Sequence, residues 1–122
     1  MASSPQRWSV VYYQDAQGRR PAQEFLLSLS ATARAAAFHD INQLEEFGLL
    51  IGAPTVRPIE GIRKLWELRV KTADGAVRLF YVARTERRFV ILHGFIKKTA
   101  KTPQKELNLA RKRLREVLAE EN

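Results

Sequence analysis

The sequence predicts an α+β fold in a single domain over residues 1–122, with the element order β-α-α-β-β-β-α. Segments rich in β-branched and aromatic residues occur near the N-terminus and three more times between residues 63 and 96. Apolar residues recur instead at helical spacing between residues 20 and 50, and again after residue 103. We therefore expect a small twisted antiparallel sheet that carries an N-terminal helical hairpin and a C-terminal helix.

The N-terminal half begins with a strand at Arg7–Tyr13 (RWSVVYY), which a turn follows. A first helix lies within residues 20–29 and has Pro21 in its first turn. A second, longer helix lies within residues 30–50, with Ser30 as its N-cap and either Gly48 or Gly52 at its end. Helical spacing predicts the buried stripes, which are Ala22, Phe25, Leu26 and Leu29 in the first helix and Ala37, Ile41, Leu44 and either Phe47 or Gly48 in the second.

Three further strands are predicted at Arg63–Thr72, Gly75–Arg84 and Arg87–Ile96. The connections between them are short enough for hairpin turns. Residues 53–61, which contain two prolines, are expected to form a loop or a short edge segment. The last helix begins after Pro103, and its apolar stripe consists of Leu107, Ala110, Leu114, Val117 and Leu118.

Alternation divides the residues of the second and third strands between two faces of the sheet. The apolar face is expected to pack on the helical hairpin. The other face brings Arg69, Lys71 and Arg78 to the middle of the sheet. Because cations are costly to bury there, we predict that they face a groove that an anion enters. A structural alternative is that Glu67 pairs with Arg69 or Arg78.

The net charge of +8 is unevenly distributed. Residues 1–56 hold four Lys/Arg and five Asp/Glu, a net of −1, whereas residues 57–122 hold seventeen and eight, a net of +9. This asymmetry favours a polyanionic partner, most simply nucleic acid, over a charge that serves solubility alone. The sequence has no cysteine, which excludes disulfides and thiolate metal sites. It has no apolar run of membrane-spanning length and no signal-peptide core, so we expect a cytoplasmic protein that uses neither metal nor cofactor.

Several segments in the second half resemble a known family. The stretches GIRKLWELRVK, VRLFYVA and VILHGFIKKTAKTP, in this order and spacing, are similar to the signature segments of the phage-derived, HigB-like branch of the RelE/ParE toxin superfamily. The segments VVYYQDAQGRRPAQEFLLSL and LEEFGLLIGAPTVRPIEG also lie at the positions typical of that family, so the resemblance extends from Trp8 to the last helix. It implies a RelE-like fold.

The resemblance also implies a function and a partner. Toxins of this family belong to type II toxin–antitoxin pairs, and they commonly enter the ribosomal A site and cut mRNA without a metal. The partner is a small antitoxin, often a helix-turn-helix protein. ParE-like relatives inhibit DNA gyrase on a similar fold without catalysis, and this alternative remains open. A third possibility, a plain duplex-DNA-binding domain, finds no recognition-helix or zinc-finger pattern in this sequence.

Site residues follow from the resemblance position by position. Arg78 in VRLFY matches the phosphate-binding strand arginine, and Arg69 lies on the same face. Lys98 or Lys97 matches the basic residue that follows the last strand and would contact the scissile phosphate or transfer a proton. The remaining lysines expected to bind the RNA backbone are Lys64, Lys71 and Lys101.

The proton-transfer group is left open between two residues. The best-known RelE pattern has a tyrosine after the basic turn, and this sequence has no tyrosine after Tyr81. HigB-like toxins can use histidine, so His93 and Lys98 are both candidates, since histidine exchanges protons near neutral pH. The structural alternative is that His93, on the strand face expected to hold Phe89, Ile91 and Phe95, is a hydrogen-bonded core residue.

Overall fold

A computed structural model describes residues 7–120 of the chain. Five strands and three helices follow one another in the predicted order, with one short strand added. Their bounds are β1 Ser9–Tyr12, α1 Pro21–Ser28, α2 Ala31–Phe47, β2 Val56–Pro58, β3 Trp66–Thr72, β4 Gly75–Arg84, β5 Arg88–Lys97 and α3 Gln104–Glu120. A single 3-10 turn, Gly48–Leu50, follows α2. The α+β class predicted from the sequence is thus confirmed.

The five strands form one mixed sheet in the order β1-β5-β4-β3-β2. Strands β2 to β5 pair antiparallel, as expected, but β1 pairs parallel to β5, with Ser9 opposite Arg88. The wholly antiparallel sheet was therefore wrong at this edge. The alternation of side chains within a strand does not indicate whether that strand runs parallel or antiparallel to its neighbour. Parallel strands need a long connection between them, and here most of the chain connects β1 to β5.

Each face of the sheet packs on a different helical layer. The hairpin of α1 and α2 covers one face, where Leu26, Ala37 and Leu44 pack against β3 and β4 residues such as Leu68 and Leu79. Helix α3 covers part of the other face, and its buried residues are Ala110, Leu114 and Val117. The predicted stripes of all three helices therefore point into the core, with Gly48 rather than the exposed Phe47 completing that of α2.

Glycine fixes two close approaches in the hairpin layer. Gly48, rather than Gly52, ends α2 with a φ of +55°, and a Cβ there would overlap the Trp8 ring. A Cβ on Gly94 of β5 would lie 2.7 Å from the Phe25 ring of α1. Both positions let an aromatic side chain pack directly on the backbone, which brings α1 and the end of α2 close to the sheet.

A β-bulge reverses the alternation in the middle of β5. Phe80 pairs with His93, but its neighbour Tyr81 pairs with Ile91, so Leu92 is an extra residue. Leu92 and Phe95 both pack in the α3 layer, whereas Ile91 packs in the hairpin layer. The expected grouping of His93 with Ile91 was therefore wrong, because unbroken alternation does not hold across a bulge.

Several strand boundaries also differ from the prediction. Strand β1 is Ser9–Tyr12 rather than Arg7–Tyr13, and β5 begins at Arg88 rather than Arg87. Strand β3 begins at Trp66 rather than Arg63, because residues 59–65 form a turn that Ile59 and Leu65 close with a backbone hydrogen bond of 2.9 Å. Lys64 in this turn has a φ of +72°. Strand β5 extends to Lys97, one residue further than expected. The start of the turn that holds the lysines is therefore anchored in the sheet.

Candidate functional site

The open part of the α3 face contains a set of side chains in register across three strands. Residues directly opposite in an antiparallel sheet have Cβ atoms about 5 Å apart on the same face. Three successive rows run from β3 through β4 to β5: Glu67, Phe80 and His93; Arg69, Arg78 and Phe95; and Lys71, Ala76 and Lys97. We call these side chains the cationic face. Four of the predicted site residues, Arg69, Lys71, Arg78 and Lys97, thus lie in two adjacent rows.

Arg69 and Arg78 are directly opposite each other and share one carboxylate. The Nε of Arg69 lies 3.7 Å from Oε1 of Glu67, and the Nε of Arg78 lies 3.7 Å from Oε2 of the same residue. The Glu67 side chain is 6% exposed, compared with 12% for Arg78 and 31% for Arg69. One buried carboxylate therefore faces two guanidinium groups, and the trio keeps a net positive charge.

The environment of Arg78 disfavours its positive charge. Burial lowers its pKa most, the nearby charges of Arg69 and Arg57 lower it further, and Glu67 alone raises it. Its Nη1 donates to the Val77 carbonyl at 3.3 Å, while its buried Nε has no acceptor within hydrogen-bond distance. A buried guanidinium with spare donors and cationic neighbours is a favourable place for an added anion.

A cleft of about 580 Å³ opens beside these arginines at the edge of β3. Its lining includes Arg69, Lys71 and Arg78, together with Thr55 from the loop before β2 and Asp40 from α2. The Thr55 carbonyl accepts a 2.8 Å hydrogen bond from the Arg69 backbone, which fixes this wall. Burial raises the pKa of Asp40, and the neighbouring His39 opposes that shift. The cationic face is therefore accessible from the side of β3.

Residues 98–103, which connect β5 to α3, form the basic turn, and this turn lies at one end of the cationic face. Lys97 is the last residue of the strand, and its Nζ donates to the Ala100 carbonyl at 2.8 Å. Lys98 and Lys101 are exposed in the turn that leads to α3. The turn is thus partly fixed by its own contacts, and it continues the row of Lys71 and Lys97 with two exposed cations.

Both ring nitrogens of His93 contact side chains of α3. Its Nε2 lies 2.6 Å from Oε1 of Glu106, and its Nδ1 lies 3.3 Å from Nη1 of Arg113. Because Arg113 can only donate, Nδ1 accepts and Nε2 carries the proton that is donated to Glu106. Burial lowers the pKa of His93 and Arg113 lowers it further, while Glu106 opposes both. The neutral ring therefore connects β5 to the first turns of α3.

Lys64 lies apart from the other predicted site residues. It lies in the turn before Trp66, at the opposite end of β3 from Lys71, and the five strand steps from Trp66 to Lys71 alone span about 17 Å. Sequence reasoning missed four residues of the site, which are Asp40, Thr55, Glu106 and Arg113. Asp40, Glu106 and Arg113 lie on helices among polar residues of the same kind, and helical periodicity alone does not distinguish them.

Residues 7–120 show neither a metal site nor a membrane-spanning helix. In this part of the chain no group of three or more His, Asp or Glu side chains is arranged to hold a metal ion. No helix in the same range is long and apolar enough to span a membrane.

One comparison with known proteins identifies a family. A family model described as Phage derived protein Gp49-like (DUF891) matches residues 24–115, about three quarters of the chain. The match includes all three rows of the cationic face and the basic turn. No curated protein matches the chain. The chain belongs to the Gp49-like family of phage-derived proteins, which is part of the RelE/HigB-like group of toxin–antitoxin toxins.

Proposed function

We propose that this chain is a ribosome-dependent mRNA endonuclease that inhibits translation as the toxin of a toxin–antitoxin pair. Membership of a toxin family supports the biological role. The cationic face supports RNA as the target, because Arg69, Lys71 and Arg78 lie on adjacent paired strands and line one accessible cleft. The expected reaction is attack of a ribose 2′-OH on the adjacent phosphate, which gives a 2′,3′-cyclic phosphate and a 5′-OH.

The observation that carries this proposal is the direct pairing of Arg69 with Arg78. Like charges opposite each other in a sheet are destabilising, and Glu67 supplies only one compensating charge. A phosphate that enters from the cleft relieves this repulsion and accepts from both guanidinium groups. Stabilisation of developing negative charge by such pre-positioned donors is worth several kcal/mol in known active sites, on the order of 3 kcal/mol per donor.

We propose a role in this reaction for the charged residues of the cationic face and the basic turn. Arg78 and Arg69 bind the scissile phosphate and stabilise the phosphorane, and Glu67 orients both through their Nε groups. Lys71, Lys97 and Lys101 bind flanking phosphates. Metal ions are not needed for charge stabilisation in this scheme, because the guanidinium groups provide it.

In this scheme a residue of the basic turn transfers the proton. Both nitrogens of His93 are engaged by Glu106 and Arg113, so no lone pair or proton of the ring faces the cleft. Lys98 is exposed next to Lys97, and it is our candidate for transferring a proton to or from the reacting oxygens. His93 then acts as a positioning residue, which fixes the start of α3 and with it the end of the basic turn.

Substitution of Arg78 tests this function. Arg78→Ala is expected to abolish translation inhibition in a reconstituted translation system, and Arg78→Lys is expected to retain RNA binding with at least a tenfold loss in rate, since lysine lacks the guanidinium fork. Arg20→Ala, at an exposed position before α1, is the matched control. Full inhibition by Arg78→Ala would remove the arginine pair from the mechanism. Inhibited gyrase supercoiling with intact mRNA would favour the non-catalytic, ParE-like alternative.

A further inference from the structure

The cleft at the edge of β3 contains a carboxylate as well as cations. Arg69, Lys71 and Arg78 line it from the sheet, and Asp40 lines it from α2. Strand β2 pairs with β3 only at residues 66–68, and past this point the edge of β3 opens toward α2. The cleft therefore has a cationic wall on the sheet and, across the sheet edge, a wall that carries a hydrogen-bond acceptor.

The acceptor is Asp40, which lies beside the buried stripe of α2. Ala37 and Ile41 of that stripe are buried against the sheet, and Asp40, between them in sequence, is half-buried. Within residues 7–120 the Asp40 carboxylate makes no hydrogen bond and no ion pair. The two arginines of the cleft pair with Glu67 instead. Both oxygens of Asp40 therefore remain available to accept hydrogen bonds from a ligand in the cleft.

The Asp40 carboxylate is unfavourable for a ligand that is only a phosphate backbone. Because like charges repel, an acid in the cleft reduces the affinity for phosphate that the cations provide. It is favourable where the ligand also carries hydrogen-bond donors at some distance from its anion. A nucleotide has both, since its phosphate accepts hydrogen bonds and the edge of its base donates them. The cleft volume of about 580 Å³ lies within the range of about 300–1,000 Å³ that is typical of sites for small organic ligands, and Pro54 adds an apolar wall for the face of a base.

Among the four RNA bases, guanine matches a carboxylate best. An ionised carboxylate only accepts hydrogen bonds, and it offers two adjacent oxygens. Guanine donates side by side from N1–H and from its 2-amino group. Adenine and cytosine instead place an acceptor nitrogen beside their amino group, and uracil places its N–H between two carbonyls. Since unpaired bases of single-stranded RNA are free to present these edges to a protein, guanine is the base that satisfies both oxygens of Asp40.

We propose that Asp40 is a specificity-determining residue, whose carboxylate accepts two hydrogen bonds from the Watson–Crick edge of a guanine while the phosphate of that nucleotide lies on Arg69 and Arg78. This proposal deepens the function proposed above and rests on RNA being the ligand of the cleft. Asp40 then reads the base, and the arginines bind the phosphate. A bidentate contact of this kind discriminates between bases by about tenfold.

Titration of short single-stranded RNAs with the full chain tests this contact. The RNAs are uridine pentamers that differ only at the central nucleotide, which is guanosine, inosine, adenosine, cytidine or uridine. The guanosine RNA is expected to bind about tenfold more tightly than the uridine RNA, with inosine between them because it lacks the 2-amino group. Asp40→Asn should remove this preference, since an amide offers one acceptor and one donor group. Glu46→Gln, which removes an exposed carboxylate from the same helix outside the cleft, is the matched control and should keep the preference.

The ratio of these affinities separates base recognition from general electrostatics. Loss of a negative charge alone changes the affinity for all five RNAs by a common factor and leaves the ratio unchanged. Equal affinities for the guanosine and uridine RNAs, an inosine RNA that binds as tightly as the guanosine RNA, or an unchanged ratio in Asp40→Asn would overturn the proposal. Mapping of cut sites on translating ribosomes tests the nuclease in parallel. Uncut mRNA together with an Asp40-dependent guanosine preference in binding would remove the nuclease but support the assignment of Asp40.

Discussion

Replacement of Glu67 by glutamine removes the one carboxylate between Arg69 and Arg78 and leaves its shape unchanged. Each guanidinium Nε lies 3.7 Å from a Glu67 oxygen. At an effective dielectric constant of about 20, one such pair is worth about 4 kcal/mol of attraction. The cost of desolvating the carboxylate, several kcal/mol, disappears with the charge. We therefore expect Glu67→Gln to lower the free energy of unfolding by about 3 kcal/mol, the range typical of a broken buried ion pair.

The same substitution separates binding of RNA from its cleavage. Loss of a negative charge makes the cationic face more positive. A non-cleavable RNA with a 2′-deoxy group at the target site should therefore bind to Glu67→Gln at least as tightly as it binds to the unsubstituted protein. Cleavage should fall by about tenfold or more, because the arginines lose the group that orients them. Urea unfolding, RNA titration and single-turnover cleavage measure the three quantities, and Glu60→Gln, at an exposed carboxylate, is the control.

A destabilisation by Glu67→Gln of less than about 1 kcal/mol would refute this reasoning, because it would place the pair in the range of solvent-screened surface ion pairs. Weaker RNA binding combined with normal cleavage would contradict the orienting role itself.

Three further predictions concern the lysines and His93. Joint replacement of Lys97 and Lys98 by alanine should reduce the slope of log affinity against log salt for single-stranded RNA by about 1.4, whereas Lys64→Ala should leave it unchanged; equal slopes for both would mean that the basic turn does not contact phosphate. Burial lowers the pKa of His93 below its unfolded value, so the unfolded chain binds a proton more readily and stability should fall as pH drops below about 6.5. His93→Gln should lose this dependence, which thermal unfolding at pH 7.5 and 5.5 measures. The same loss of stability between these two pH values in His93→Gln and in the unsubstituted chain would contradict this assignment. Lys64→Gly should raise the free energy of unfolding by about 1 kcal/mol, since Lys64 has a φ of +72° that glycine adopts without strain. A loss of stability in urea unfolding would show instead that the Lys64 side chain has a structural role.

Local signals in the sequence were sufficient for most of the fold. The bounds of β4, Gly75–Arg84, match the prediction because turn-forming residues flank the strand on both sides. Ser30 is the N-cap of α2, and its Oγ accepts from the Ala33 amide at 3.3 Å as the capping pattern requires. The parallel pairing of β1 was not predictable, because it depends on which sheet edge remains free after the other four strands have assembled. The bulge at Leu92 has no glycine or proline signal at that position either.

The candidate site was predictable where it depends on strand register alone. Arg69, Lys71 and Arg78 lie together because alternation in β3 and β4 is unbroken between the turn and the bulge. The environment of His93 depends instead on the bulge and on the rotation of α3, which brings Glu106 and Arg113 to its ring. Long-range contacts of this kind follow from tertiary packing and leave no periodic pattern in one sequence.

The most direct measurement of the central claim is the mapping of mRNA 3′ and 5′ ends on translating ribosomes after addition of the purified chain. We predict cuts within the A-site codon that leave 2′,3′-cyclic phosphate and 5′-OH ends, and no cuts with Arg78→Ala at the same concentration. Intact mRNA with the unsubstituted chain, or equal cleavage by Arg78→Ala, would contradict the assignment of the cationic face as the active site of a ribosome-dependent endonuclease.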